Sequence, residues 1–409
     1  MHMQPIKHIS MSLVINVLIL TNLAVTVPVA TSCDDKEINP VPLPTPTSNP
    51  AAYITDASKL AMIHSMRDLD GTGRLYELNY TADYKLDEVL GSNLTDTKQL
   101  FSYLASILFD KTASRVPIAT FGAGCSAFAA SEATTGNFVM GRNYDFRHTT
   151  ADGKSYVPTT AIVLHTAPRG GKKSISIVDG LNLGFGKGFY TDGKTDLSLL
   201  MGLPYAVLDG INEDGFAIAI LALNEKQTKQ ETGKPKISST VAIRMLLDRA
   251  TDVDHAISLL QGYDMDMNGQ GKSNYHYFLA DAKGNYAIVE YTFPSGESTP
   301  RVMEVLRGND SLRCVTNFYV SPTMVGTTDG WGSAHGRERY WKLRNSLVNN
   351  LHRLPSDTVW AMLKAVSQPP TGEITSQTQW SACYNLSRKT LQLAILREFG
   401  KKYDFKISQ

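Results

Sequence analysis

From Cys125 to its end, the chain is written as short apolar runs set off in pairs by turn residues. Ser126 to Glu132, Asn137 to Gly141, Thr159 to His165 and Ser174 to Asp179 are four such runs. Runs of this length between Gly, Asn and Asp clusters predict strands. Phe216 to Leu223 predicts another, after the turn Asn212-Glu213-Asp214-Gly215. Two helices are expected next. One starts at Ser239 and runs through Leu247 and Ala250; the other is capped by Asp252, with Ala256, Leu259 and Leu260 on its buried side. Tyr275 to Asp281 and Tyr286 to Tyr291 predict a hairpin, and Val302 to Leu306 and Arg313 to Thr316 extend the sheet. Helices around Glu338 to Val348 and Asp357 to Val366 precede a last hairpin, Thr378 to Asn385 and Thr390 to Leu396. Strand pairs, then helices, then strand pairs predict an α+β layered domain with antiparallel sheets, not alternating βαβ units.

The stretch before Cys125 has a different texture. Lys7 and His8 precede an apolar run from Leu13 to Val25, and small residues follow in Ala30-Thr31-Ser32-Cys33. That run is short for a membrane span and suits an export signal. Ending on Ser-Cys, residues 1–33 resemble a bacterial lipoprotein signal, with Cys33 carrying the lipid and anchoring the chain to a membrane. An ordinary secretory signal cut near Ala30 is the alternative; either places the mature chain outside the cytoplasm, at the cell envelope, in the periplasm or secreted. Residues 34–52 hold Pro40, Pro42, Pro44, Pro46 and Pro50 among Thr, Ser and Asn, the composition of an extended tether. Residues 53–124 read as mainly helical. Ala57 to Met66 carries a stripe of Leu60, Ile63 and His64, and Asp96 to Phe109, capped by Thr95, carries Leu100, Leu104, Ile107 and Leu108. Asp68-Leu69-Asp70-Gly71 starts like a calcium loop but lacks the later ligands, which predicts a plain turn. Gly184 to Gly188 predicts a mobile loop beside a pocket and not a phosphate cradle.

Charge and cysteine usage exclude several classes. Forty basic residues against 39 acidic give a net charge of +1, so no basic face for nucleic acid is signalled. Of the four cysteines, Cys33, Cys125, Cys314 and Cys383, none forms a C-x-x-C pair, and the nine histidines show no H-E-x-x-H spacing. Neither a metal site nor a cofactor is expected. Export permits a Cys314–Cys383 disulfide without establishing one.

Chemistry concentrates at Gly124-Cys125 and, one hairpin later, Gly141-Arg142-Asn143-Tyr144-Asp145. A cation near a thiol stabilises the thiolate, and a carboxylate can orient a base. If the chain is cut before Cys125, the new α-amine becomes that base, with an intrinsic pKa of about 7.7–8.0 suited to proton transfer. Nucleophile and base then share one residue. Taken alone, the three residues favour the plainer reading, with Cys125 a buried small hydrophobe and Arg142 with Asp145 a surface pair of little worth.

The order of motifs changes that balance. Gly-Cys, Gly-Arg-Asn-x-Asp, Asn-Glu-x-Gly before an apolar strand, Val315-Thr316-Asn317, and Arg-x-Arg-Tyr opening a helix follow one another. From Cys125 to about Leu396 the chain resembles the linear amide C–N hydrolases with an N-terminal nucleophile. These include bile salt (choloylglycine) hydrolases, penicillin V acylases and, more distantly, N-acylethanolamine acid amidases and acid ceramidases. The resemblance implies a four-layer αββα sandwich of N-terminal nucleophile hydrolase type over residues 125–409. It implies Cys125 as nucleophile, Arg142 as the active-site arginine, Asp145 as the group binding the α-amine, and Asn317 as an oxyanion donor. Arg339 matches the late arginine, with Arg337 a rival two residues away. For Asn317 the plain alternative is a turn residue, and for Arg339 a helix-face ion pair.

Two departures shape the expected substrate. Bile salt hydrolases and penicillin V acylases carry an Asn within a Leu-Asn-Phe run where this chain has Ala222, with Asn224 two places on. The segment ahead of Cys125 has its counterpart in the acid ceramidases and N-acylethanolamine amidases, which keep it as a small subunit after self-cleavage. The expected partner is a small-molecule linear amide with a large apolar acyl group: a conjugated bile salt or other N-acyl amino acid first, an N-acylethanolamine or fatty amide second. Tyr144, Phe146, Phe185, Phe189 and Phe318 are candidates to line its pocket, or ordinary core. A surface binding protein on the same fold is the non-catalytic alternative. A retained small subunit 34–124 and a homo-oligomer are compatible with the resemblance.

Overall fold

A computed structural model describes residues 49–112, 124–150, 152–223, 228–267, 274–293, 300–324, 334–355, 357–371 and 377–407. The expected signal, Cys33, most of the tether, the stretch leading into Gly124, and Asn224 lie outside the described residues.

Two sheets stack face to face. The first has nine strands in the order Arg67–Asp68, Leu75–Tyr80, Ala161–Thr166, Ser174–Asp179, Val207–Asn212, Ala217–Leu223, Asn274–Ala280, Tyr286–Thr292 and Val302–Leu306. Its neighbours are antiparallel except for the parallel pair Leu75–Tyr80 and Ala161–Thr166. The second runs Cys314–Val315, Gly124–Glu132, Phe138–Asp145, Thr378–Asn385, Thr390–Ile395 and Tyr403–Lys406, with Arg353–Leu354 pairing beside Gly124–Glu132. Helices Ser239–Arg249 and Val253–Gln261 cover the first sheet, and Ala334–Asn349 and Thr358–Val366 cover the second. The result is the expected α+β sandwich of four layers.

Residue alternation explains the layering. On the nucleophile strand, Cys125, Ala127 and Ala129 join the core between the sheets, while Phe128 and Ala130 pack under Leu343, Leu347, Met362 and Leu363 of the outer helices. Because both faces are covered, a strand such as Ala217–Leu223 is buried along its whole length and reads as a continuous apolar run. Gly141 is required within this packing. A Cβ there would lie 2.4 Å from Phe128 Cζ, so the Phe128 ring fills the space a side chain would take.

Residues 53–112, the described part of the 53–124 segment ahead of Gly124, depart from the helical expectation. Leu75–Tyr80 is a strand, registered from Leu75↔Ala161 to Tyr80↔Thr166, so this segment contributes part of the main sheet. Its helices are Ala57–His64, Leu86–Gly91 and Thr97–Leu108. The cap of the last is Asp96, whose carboxylate accepts from Gln99 N at 2.9 Å; Thr95, the expected cap, precedes it. Asp68 accepts from Gly71 N at 2.9 Å, closing the anticipated turn.

In the Gly184–Gly188 stretch Gly184 and Lys187 are exposed, while the residue between them in the core is Phe185. Phe185 is fully buried and stacks on Phe189 at 4.5 Å, Tyr76 meets Phe189 edge-on at 5.0 Å, and Gly188 N donates to Gly73 O at 3.0 Å. Phe185 and Phe189 are therefore core beneath the N-terminal segment. Cys314 and Cys383 are free thiols. They end a row Cys314↔Phe128↔Gly141↔Cys383 across four strands. Three strand spacings amount to about 14 Å, twice the roughly 7 Å Cα separation a disulfide can span.

Candidate active site

Cys125 is the second residue of its strand and is fully buried. It lies opposite Tyr144, and Ala127 lies opposite Arg142, so Cys125, Arg142 and Tyr144 share the face turned toward the first sheet. The Arg142 guanidinium sits 5.3 Å from the Tyr144 ring centroid. It reaches across to the first sheet, pairing with Asp209 and donating from Nη2 to Ile220 O at 2.8 Å. Asp209 also accepts from Tyr384 OH at 2.8 Å and Trp380 Nε1 at 3.2 Å. Asp209 is thus met by Arg142, Tyr384 and Trp380, while Arg142 Nη1 is buried without a hydrogen-bond partner among the described residues.

Asp145 and Arg339 approach the nucleophile's backbone. Asp145 lies across from Gly124, accepts from Thr378 Oγ1 at 2.5 Å and faces Arg339 Nη1 at 3.6 Å. Arg339 projects from helix Ala334–Asn349, donating to Cys125 O at 2.6 Å and to Asn317 Oδ1 at 2.8 Å. Asn317 Oδ1 also accepts the main-chain N–H of Cys125 at 2.8 Å, while Nδ2 donates to Ala222 O at 2.8 Å. Two donors meet Oδ1 and a carbonyl meets Nδ2, which fixes the orientation of the amide. Arg337, by contrast, is exposed and lies 5.0 Å over the Phe318 ring. Cys125, Arg142, Asp145, Asn317 and Arg339 thus converge, and Arg337 points elsewhere.

In the uncut chain the Cys125 nitrogen is a peptide N–H, and Asn317 Oδ1 accepts it. Ala222, the position expected to lack a donor, contributes its carbonyl and accepts from Asn317. The sequence also left out Asp209, although it stands on the strand leading into the Asn212-Glu213-Asp214-Gly215 turn, where a carboxylate in an apolar run is itself a signal. Thr378, Trp380 and Tyr384 arrive from the closing hairpin and had no separate signal.

Burial dominates the electrostatics. It pushes the Cys125 thiol up to about 11, with Arg142, the Asp145 amide and Arg339 pulling down and the Asp145 carboxylate pushing up. Burial likewise raises Asp145 to about 6, against the lowering influence of Arg339, Thr378 and Arg142. With Cys125 inside the uncut chain, the group is a thiol at neutral pH. The Tyr144 hydroxyl donates to Asp179 at 2.9 Å, and its ring stacks on Trp380 at 4.0 Å. Tyr144 therefore flanks the sulfur; Phe146 packs edge-on against His148 at 4.7 Å, and Phe318 against Tyr340 at 5.3 Å. Among the described residues no group of three or more His, Cys, Asp or Glu could hold a metal ion.

Residues 132–395 match the family model described as acyl-coenzyme A:6-aminopenicillanic acid acyl-transferase. The chain belongs to this family. The matched span takes in Arg142, Asp145, Asn317 and Arg339 and begins beyond Cys125. Membership places the chain among the N-terminal nucleophile amidohydrolases and makes it an enzyme of amide C–N bonds. No curated protein matches the sequence. Among solved structures, two variants of a conjugated bile acid hydrolase from Clostridium perfringens align at 13% and 14% identity, each over 69% of this chain and 92% of the other, with TM-scores of 0.46 and 0.45. A penicillin V acylase from Agrobacterium tumefaciens aligns at 18% identity over 66% of this chain and 83% of its own, with a TM-score of 0.41.

Proposed function

We infer that this family member is an exported cysteine amidohydrolase that cuts itself at Gly124–Cys125 and then hydrolyses linear amides with a bulky apolar acyl group. The convergence of Asn317 and Arg339 on the backbone of Cys125 carries this reading. Any buried main-chain N–H and C=O need partners; here they are the side chains of Asn317 and Arg339, two residues that the order of motifs singles out. In the cut chain the amine, held by Asn317 Oδ1 with Asp145 close by, takes the proton of its own thiol. The thiolate attacks the substrate carbonyl while Arg142 stabilises the sulfur, and the amine then protonates the leaving nitrogen. Water enters against the thioester, with the same amine as base, and frees the acid. Donors aimed at the tetrahedral oxyanion are worth about 2.7–4 kcal/mol each, and that role is assigned to Asn317 Nδ2, which in the uncut chain donates to Ala222 O.

Conjugated bile salts and other N-acyl amino acids are the first substrates to test. A second reading, N-acylethanolamines, is favoured by Ala222 and by the strand Leu75–Tyr80, which would keep residues 49–112 bound after the cut as a small subunit. Glycocholate, taurocholate, penicillin V and oleoylethanolamide, assayed with the parent and with Cys125→Ala, separate the two. Turnover of none by a chain that is also uncut and unreactive at Cys125 sinks both and leaves a binding protein. The N-terminal residue of the exported chain, and any lipid mass on Cys33, would test the proposed anchor.

A further inference from the structure

His276 and Glu290 stand opposite each other on adjacent strands, one step along from the Tyr277↔Val289 pair, and both are fully shielded from solvent. His276 Nε2 lies 2.7 Å from Thr316 O, and Nδ1 lies 3.0 Å from Glu290 Oε1. A carbonyl oxygen only accepts, so Nε2 carries a proton. Nδ1 faces a carboxyl oxygen, so a second proton lies between those two atoms. Glu290 also accepts from Val320 N and Ser321 N, each at 3.0 Å. The pair thus grips the main chain at 316, 320 and 321, on both sides of Asn317.

The gripped segment is where the chain changes sheets. Cys314 and Val315 pair with Phe128 and Ala127 in the second sheet. Immediately afterwards, Thr316 O is taken by His276 of the first. Thr316 Oγ1 donates to Gly336 O at 2.8 Å, at the start of the helix that carries Arg339, and Ser321 Oγ donates to Glu304 at 2.6 Å. Asn317 sits on this crossing with its side chain on Cys125.

We propose that His276 and Glu290 are positioning residues which hold the Thr316–Ser321 crossing, and through it Asn317, in register with the nucleophile. This rests on the amidohydrolase reading above. A buried ion pair adds little net stability over an apolar pair of the same volume. An apolar pair, however, could neither receive two N–H groups nor donate to a carbonyl, and each orphaned group costs about 1–3 kcal/mol. The pair's distinctive contribution is therefore placement of this backbone.

A double-mutant cycle between Glu290→Gln and Asn317→Ala tests it, because residues acting through one another are non-additive. The expected result is a fall in kcat of about tenfold for Glu290→Gln alone, with KM within about threefold, and less than about twofold further loss when Asn317 is already Ala. Equal losses in both backgrounds, or none in the parent, overturn the proposal. Hydrogen exchange at Val320 and Ser321 is the second readout. It should quicken in Glu290→Gln while the strand Ala217–Leu223 stays protected, and it decides the question even if the parent hydrolyses no amide. Unchanged exchange there also overturns it. Should Gln at 290 prevent folding, Glu290→Asp, which keeps the charge and shortens the reach, enters the same cycle and the same exchange measurement.

Discussion

The main-chain nitrogen of Cys125 donates to Asn317 Oδ1 at 2.8 Å, and Arg339 reaches both residues, at Cys125 O and at Asn317 Oδ1. The junction is gripped through backbone atoms, and the sulfur makes none of these bonds. Cys125→Ala should therefore fold, because it removes one atom and none of these bonds. It should remain a single uncut chain and turn over no amide. Intact mass on a denaturing gel and a turnover assay check this; a cut or active Cys125→Ala protein would refute the nucleophile assignment.

Asn317→Ala removes the acceptor for Cys125 N and Arg339 together with the donor to Ala222 O. Turnover should drop roughly 10²–10³-fold, the scale of one lost oxyanion donor. KM should move far less, because the losses fall on the reacting atoms. A near-parental kcat in a folded variant would remove Asn317 from the site.

Asp145 gives the site a pH signature. Burial raises its carboxyl from the usual value of 3.8 to about 6. The folded chain then holds a proton that the unfolded chain has released between those two values. The stability this brings is fully present below pH 3.8 and is lost as pH rises through 6. Asp145→Asn cannot titrate, so the parent's Tm should fall relative to the variant's across that window and run parallel above it. Parallel curves throughout would show that Asp145 is an ordinary carboxylate in this fold.

Much of this could be read in the sequence, for identifiable reasons. Strands downstream of Cys125 carry their boundaries locally, in turns such as Asn212-Glu213-Asp214-Gly215. Leu75–Tyr80 was hidden because its partner, Ala161–Thr166, lies far along the chain and the residues around it are helical in pattern. The order of motifs singled out five residues that the structure brings together. Which atom of Asn317 meets which atom of Cys125 was not, since that depends on the crossing between sheets. Asp209 was missed because its partner Arg142 belongs to the other sheet, and no spacing rule connects the two.

Gly141 is fixed by packing, not by backbone freedom. Ala in its place would put Cβ 2.4 and 2.5 Å from Phe128 Cζ and Cε1. The ring is fully buried and cannot swing into solvent. Gly141→Ala should cost about 1–3 kcal/mol, the usual scale of overpacking. Phe128→Leu should recover part of that loss by vacating the space. Denaturant unfolding of the two single variants and the double variant measures this, and an additive double would mean that the two positions do not meet.

Asp209 sets how much of Arg142's charge reaches the thiol. Arg142 lowers the Cys125 pKa against the dominant effect of burial, and Asp209 is the countercharge bound to that guanidinium. Asp209→Asn keeps an oxygen for Tyr384 or Trp380 and removes the charge. The thiolate should then feel a less compensated cation, and the Cys125 pKa should fall from about 11. Iodoacetamide labelling against pH, read at the Cys125 peptide by mass spectrometry, reports the midpoint. Cys314 and Cys383 serve as internal references, because burial holds both at about 12 and neither contacts Asp209. Their profiles should stay in place while that of Cys125 moves to lower pH. A Cys125 midpoint that is unmoved, or that rises, would mean Arg142 serves to join the two sheets and does not activate the sulfur.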